Sequence, residues 1–132
     1  PLLDRIDIHM EIVPVPFEDL SNKALGESSE TIRNRVINAR KIQEERYKSE
    51  NGIYCNAQMS SKLLRKYAKL NDQCKVLIEN AMKRLNLSAR AYDRILKLAR
   101  TIADLDNSEN VEITHIAEAI TYRNLDKEGW AG

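Results

Sequence analysis

The chain has 132 residues, 42% of them hydrophobic and 31% charged, and its 21 basic and 20 acidic side chains leave a net charge of +1. That length fits one ordinary domain, and that balance supports one apolar core. It excludes a polybasic nucleic-acid module on charge alone, and no apolar run approaches membrane-spanning length.

The opening residues carry no signal-peptide pattern, and the first residue is Pro1 rather than Met, as expected of a fragment. Cys55 and Cys74 stand alone, without a CxxC or neighbouring histidines, so a reducing, cytoplasmic setting is expected and a zinc site is not. Only 4 Gly and 3 Pro interrupt a sequence rich in Leu, Ala, Lys, Arg and Glu, which favours helix.

In chain order, Ile6, Ile8, Met10 and Ile12 alternate with polar residues and predict a strand, ended by Pro14 and Pro16. Residues 1–13 are assigned to that strand and 14–28 to a linker. Ser28 or Ser29 caps a helix to about residue 49, with Ile32, Val36, Ala39 and Tyr47 inward; Asn51-Gly52 ends it. Ser60 or Ser61 opens a short helix carrying Leu63, Leu64 and Tyr67. Asn71 caps a third, with Cys74, Leu77, Ile78, Ala81 and Leu85 on one face. Ser88 caps the most regular helix, where Tyr92, Ile95, Leu96, Ala99, Ile102 and Ala103 recur at helical steps. Residues 107–110 break it. Thr114 caps the last helix, with Ile116, Ala117 and Ile120 inward. The helical domain is placed at 29–126, and a loose tail at 127–132. The fold class expected is mainly α: a helical bundle preceded by one strand, which needs a sheet it does not itself supply.

No GxxxxGK[ST] phosphate loop occurs. No nucleophile stands with a recognisable base, so catalysis by the chain alone is not expected. His9, on the polar side of the strand, and His115, behind a helix cap, read as surface or capping residues, and no metal site is expected. Arg90 lies in the first turn of the helix after Ser88 and is followed at helical spacing by Arg94 and Lys97. Such a stripe is either a solvated, salt-bridged face or a set of phosphate contacts, since the guanidinium fork matches phosphate oxygens. Arg5 precedes the strand.

The string Pro1-Leu2-Leu3-Asp4-Arg5-Ile6-Asp7-Ile8 resembles the segment that closes the AAA+ core in magnesium-chelatase-like ATPases. The run from Ser88 through Lys97, continued by Ala99-Arg100-Thr101-Ile102-Ala103-Asp104-Leu105, resembles the lid helix of the ComM/YifB branch. His115 to Ile120 with Tyr122-Arg123, Gly26-Glu27-Ser28-Ser29 and Cys55-Asn56-Ala57-Gln58 are similar to the same branch. The resemblance implies the C-terminal lid of a cytoplasmic, ring-forming AAA+ ATPase, commonly a hexamer. It would use ATP and Mg2+ and couple hydrolysis to DNA branch migration in recombination and competence. It implies that Arg5 is an arginine finger reaching a neighbouring subunit's γ-phosphate and that Arg90 is the sensor-2 arginine, with the phosphate loop and magnesium-binding acids in an N-terminal core before residue 1. Two rival readings are a non-catalytic helical interaction module and a helical DNA-binding domain using Arg90, Arg94 and Lys97.

Overall fold

The structure, a computed structural model, describes residues 2–21 and 26–123. A 3-10 turn at Leu3–Arg5 is followed by an irregular stretch and the short helix α1 (Phe17–Ser21). The helical body comprises α2 (Ser29–Arg46), α3 (Ser61–Tyr67), α4 (Asp72–Leu85), α5 (Ala89–Leu105) and α6 (Ile113–Thr121). Another 3-10 turn, Asn56–Gln58, lies between α2 and α3.

The helix starts follow from local chemistry. Four side chains accept a bond from an otherwise orphaned amide: Ser28 from Thr31, Ser60 from Leu63, Asn71 from Cys74 and Ser88 from Ala91. Asn86 and Asn107, at φ 50° and 56°, turn the chain out of α4 and α5 through the left-handed region that Asn tolerates.

Helix α5 is the central element and packs against α2, α3 and α6, while α4 packs against α6. Its residues Ala91, Ile95, Ala99 and Ala103 form a fully buried stripe at four-residue steps. The alanines let neighbouring helices approach closely. Around them lie Cys74, Ile78 and Ala81 of α4, Ile116 and Ala119 of α6, and Leu64 of α3. Burial pushes the Cys74 thiol above its ordinary value, so it behaves as a small apolar side chain.

Several expectations are corrected. Residues 6–16 form no regular element, and no strand occurs among the described residues: a single extended segment has nothing here to pair with. Ile8, Met10 and Ile12 are exposed, whereas His9 is buried. Part of the expected linker is helix α1, with Glu18 and Asp19 in its first turn. Ile32 and Val36 face solvent, because the first ten residues of α2 extend beyond the bundle; Ala39 and Tyr47 face inward as expected, with Gln43 beside them. The cap of α6 is Glu112, not Thr114. Its buried face includes His115 and Ala119, while Ala117 is exposed. His115 Nδ1 accepts from the Glu112 amide at 2.9 Å, so Nε2 carries the proton and donates to Asp106 at 2.9 Å. It caps, as expected, but from inside. The tail expected at 127–132 lies outside the described residues.

The interior also holds a polar network. Asp104, with 0% exposure, accepts two bonds from Arg46 of α2 (2.8 and 2.6 Å), one from Arg100 Nε (3.1 Å) and one from Asn56 Nδ2 (2.9 Å). Asn56 Oδ1 accepts from Tyr47 at 2.6 Å, and the Asn56 amide donates to Gln43 at 2.9 Å. Arg100 donates onward to the carbonyls of Ser108 and Glu109. Burial opposes the Arg46 charge, but the Asp104 carboxylate outweighs it and holds the guanidinium above its ordinary value. At Arg100, burial wins and the value falls, in spite of the same carboxylate.

Two tests follow from this network. Asp104→Ala leaves two largely buried guanidiniums without their counterion and should cost roughly 3–5 kcal/mol in denaturant unfolding. A loss below about 1 kcal/mol would contradict the central role given to this carboxylate. The second concerns Tyr47, whose hydroxyl burial pushes up from 10.0 to about 12. A folded value above the unfolded one gives stability that is present below pH 10 and lost as pH climbs toward about 12. Tyr47→Phe should flatten that part of the stability-versus-pH curve, and an unchanged slope would show that Tyr47 does not contribute to it.

Candidate functional site

The three arginines and one lysine singled out in the sequence, Arg5, Arg90, Arg94 and Lys97, fall on two adjoining elements. Arg90 stands in the first turn of α5, immediately after the Ser88 cap. It is exposed and makes no side-chain hydrogen bond or ion pair among the described residues. Arg5 ends the 3-10 turn, which packs against α5, and is likewise exposed and unpaired among the described residues. Each arginine therefore presents a guanidinium with no partner among the described residues, one on the turn and one on the helix against which that turn packs.

The rest of the stripe is engaged. Arg94, one turn along α5, pairs with Asp7 at 2.5 Å. Lys97 donates to the Ala57 carbonyl at 3.1 Å. Both contacts are exposed, so either can be given up for an incoming anion, but Arg90 alone of the three is unengaged among the described residues.

Two residues that the sequence assigns to no site, Arg123 and His9, the latter expected at the surface, complete the region. Arg123, with 0% exposure, donates to the carbonyls of Ile6 (2.5 Å) and Leu3 (3.4 Å). His9 Nε2 lies 3.0 Å from Leu3 O and 3.1 Å from Ile6 O. Carbonyls only accept, so Nε2 must carry the proton. The His9 amide in turn donates to Tyr122 O at 2.7 Å. The only sequence signal for this pair is position: Arg123 closes the apolar helix α6, and His9 interrupts an apolar run.

A cleft of about 620 Å³ lies beside the start of α5, floored by Leu64, Tyr92 and Leu96, with Arg65, Lys69 and Lys75 around it. Its Ser61 and Asp93 are bonded to each other at 2.9 Å. It offers apolar surface and cations, not a nucleophile with a base. No group of three or more His, Cys, Asp or Glu fit to hold a metal occurs among the described residues. No helix among them is long and apolar enough to cross a membrane.

Residues 26–123 match the family described as magnesium chelatase, subunit ChlI C-terminal. This chain belongs to that family. It is 41% identical over 126 residues to the competence protein ComM of Haemophilus influenzae, covering 95% of this chain and 24% of that one. It is 40% identical over 129 residues to the uncharacterised protein YifB of Escherichia coli, covering 96% and 24%. An uncharacterised protein of Mycobacterium tuberculosis is 32% identical over 123 residues, covering 93% and 24%. The chain thus spans about a quarter of the length of the curated relatives it matches. The family match begins at Gly26 and takes in Arg90, Arg94 and Lys97 but not Arg5, whereas the ComM and YifB matches extend over nearly the whole chain.

The Arg94–Asp7 pair is exposed, and its contribution should be small. Asp7→Asn should cost less than about 1 kcal/mol, and that difference should fade in about 0.5 M salt. A larger, salt-resistant loss in thermal unfolding would show that this surface pair, rather than the buried contacts of Arg123, fixes the N-terminal segment.

Proposed function

We propose that this chain is the C-terminal lid region of a ring-forming AAA+ ATPase that couples ATP hydrolysis to DNA remodelling. Family membership supports the lid, and the kinship with a competence protein supports a link to competence and recombination. The observation that carries the reading is Arg90: an arginine at the start of the domain's central helix, exposed and with no partner among the described residues. An open guanidinium at that position is available to phosphate oxygens, whose geometry its planar fork matches, and the family resemblance gives it the role of a sensor-2 arginine.

Arg5 is proposed as the finger that reaches the γ-phosphate held by a neighbouring subunit. It too is exposed and unpaired among the described residues, as an arginine acting in trans must be. Phosphoryl transfer is catalysed mainly by positioning and electrostatic stabilisation, and such an arginine contributes roughly 10³–10⁵ in rate. Arg94 and Lys97 are second-rank phosphate or DNA contacts, because each must first release Asp7 or the Ala57 carbonyl.

The residues present fit part of the nucleotide site. Two open arginines suit phosphate oxygens, while the sequence has no phosphate loop and the described residues have no carboxylate cluster for Mg2+. ATP and Mg2+ would supply the phosphoryl group and its charge neutralisation from a preceding core. The exposed apolar side chains Ile8, Met10, Ile12, Val13 and Val15 suit contact with the sheet of that core. The ring, most simply a hexamer, brings Arg5 to the adjacent subunit.

In the full-length protein, Arg5→Ala and Arg90→Ala should each lower ATP hydrolysis by at least about tenfold with assembly intact. Steady-state turnover and sedimentation measured together decide it: normal turnover in either variant removes that residue's role.

A further inference from the structure

The segment bearing Arg5 is gripped by the far end of the chain. Arg123, just beyond α6, is fully buried and donates to Ile6 O at 2.5 Å and Leu3 O at 3.4 Å. His9, 6% exposed, places Nε2 between the same two carbonyls. Its amide closes the loop onto Tyr122 O at 2.7 Å. Arg5 sits between Leu3 and Ile6, so the backbone on both sides of it is held. A buried guanidinium must keep its acceptors, because losing them leaves an unsolvated charge. Its bonds to two carbonyls are therefore held far more firmly than the exposed Asp7–Arg94 contact beside them.

This arrangement does not follow from keeping a helical bundle folded. The α4, α5 and α6 core is closed by Ile78, Ile95, Ile116 and Ile120 without residues 2–9. Nor does the segment dock by its apolar residues, since Ile6 and Ile8 remain exposed. What is fixed is the backbone course around one exposed arginine. The segment is also tied to α5 through Asp7 and Arg94, one turn from Arg90.

We propose that Arg123 and His9 are positioning residues that lock the Arg5 turn to the end of α6, so that Arg5 moves as one body with the helix that carries Arg90. This rests on the reading of Arg5 as a trans-acting finger. A change in lid angle sensed at Arg90 is then delivered directly to Arg5, and the state of one nucleotide sets the reach of the finger toward the next subunit. The coupling needs no flexible relay, because both arginines stand on one clamped unit.

The test is made on the full-length protein with Arg123→Gln, His9→Leu, His9→Gln and Arg5→Ala. Hydrogen exchange at the His9 and Ile6 amides reads the clamp, and kcat and KM for ATP read its consequence. Arg123→Gln and His9→Leu should each speed that exchange by at least about tenfold while protection in α4–α6 is kept. Both should lower kcat by about the factor seen for Arg5→Ala with little change in KM. His9→Gln, which keeps a donor near the Nε2 position, should restore much of both. Arg123→Gln combined with Arg5→Ala should be no slower than Arg5→Ala alone, since an unpositioned finger and an absent one are equivalent.

Unchanged exchange in both Arg123→Gln and His9→Leu overturns the clamp. Faster exchange with normal kcat overturns the positioning role, as do multiplying effects in the double variant. Normal kcat in Arg5→Ala removes the finger reading itself and the catalytic consequence with it, while the exchange data still decide whether the clamp exists. Should Arg123→Gln fail to fold, His9→Leu carries the same comparisons with Arg123 in place.

Discussion

One buried carboxylate organises the body of this domain. Asp104 receives the guanidiniums of Arg46 and Arg100 and the amide of Asn56, so α2, α5 and the turn at Asn56–Gln58 meet at two oxygen atoms. Apolar contacts alone would tolerate α2 sliding or rotating on α5, because hydrophobic attraction has no direction. The network does not. A bidentate pair fixes both distance and orientation, and Gln43 in the last turn of α2 and Tyr47 just beyond its end tie the same asparagine. The extra positive charge is met by the carbonyls of Ser108 and Glu109, which also fixes the loop leading into α6.

That constraint explains why α5 has two unlike ends. Toward its C-terminus, Arg100 and Asp104 are held inside the network. Toward its N-terminus, Arg90 is open and Arg94 makes only a surface pair. A 17-residue helix spans about 25 Å, so the two ends are well separated. Anchoring one end and sheathing the middle with alanine-lined contacts makes α5 stiff. A stiff helix is what a phosphate contact at Arg90 requires if it is to turn a whole domain rather than bend a side chain.

The parts legible in the sequence were those decided locally. Ser28, Ser60, Asn71 and Ser88 cap helices because a short polar side chain next to an apolar period has one good use. The stripe of α5 was readable because Ile95, Ala99 and Ala103 repeat without a competing face. Periodicity names a face, however, and not what covers it. Ile32 and Val36 share the spacing of core residues, yet they sit on turns of α2 that pass beyond any partner. His9 was assigned outward by an alternation that has meaning only within a sheet; without one, the imidazole turns in to bond two carbonyls. Arg123 was unreadable for a related reason, since a basic residue closing a helix ordinarily reaches solvent. Helical spacing marked Arg90 as one of two possible kinds of face, while the specific roles of Arg5 and Arg90 came from family resemblance alone; what the structure contributes is that both are open.

The N-terminal segment joins these threads, because its two aspects are used differently. Its polar aspect is consumed within the domain: Leu3 O and Ile6 O are bonded by Arg123 and His9, and Asp7 by Arg94. Its apolar aspect is left open from Ile6 through Leu20. A terminal strand that belonged only to this domain would do the reverse, burying its apolar side chains first, since they offer the larger gain. Inverted use of this kind is expected of a joint. The segment is fastened to the helical body by directional bonds that preserve its course, and it leaves its apolar surface open to a neighbour, in a chain that spans about a quarter of the length of the curated relatives it matches. If that neighbour is an ATPase core, the joint lies at the residue proposed to act on the next subunit, and the same few bonds that hold the domain's end in place also determine where Arg5 points.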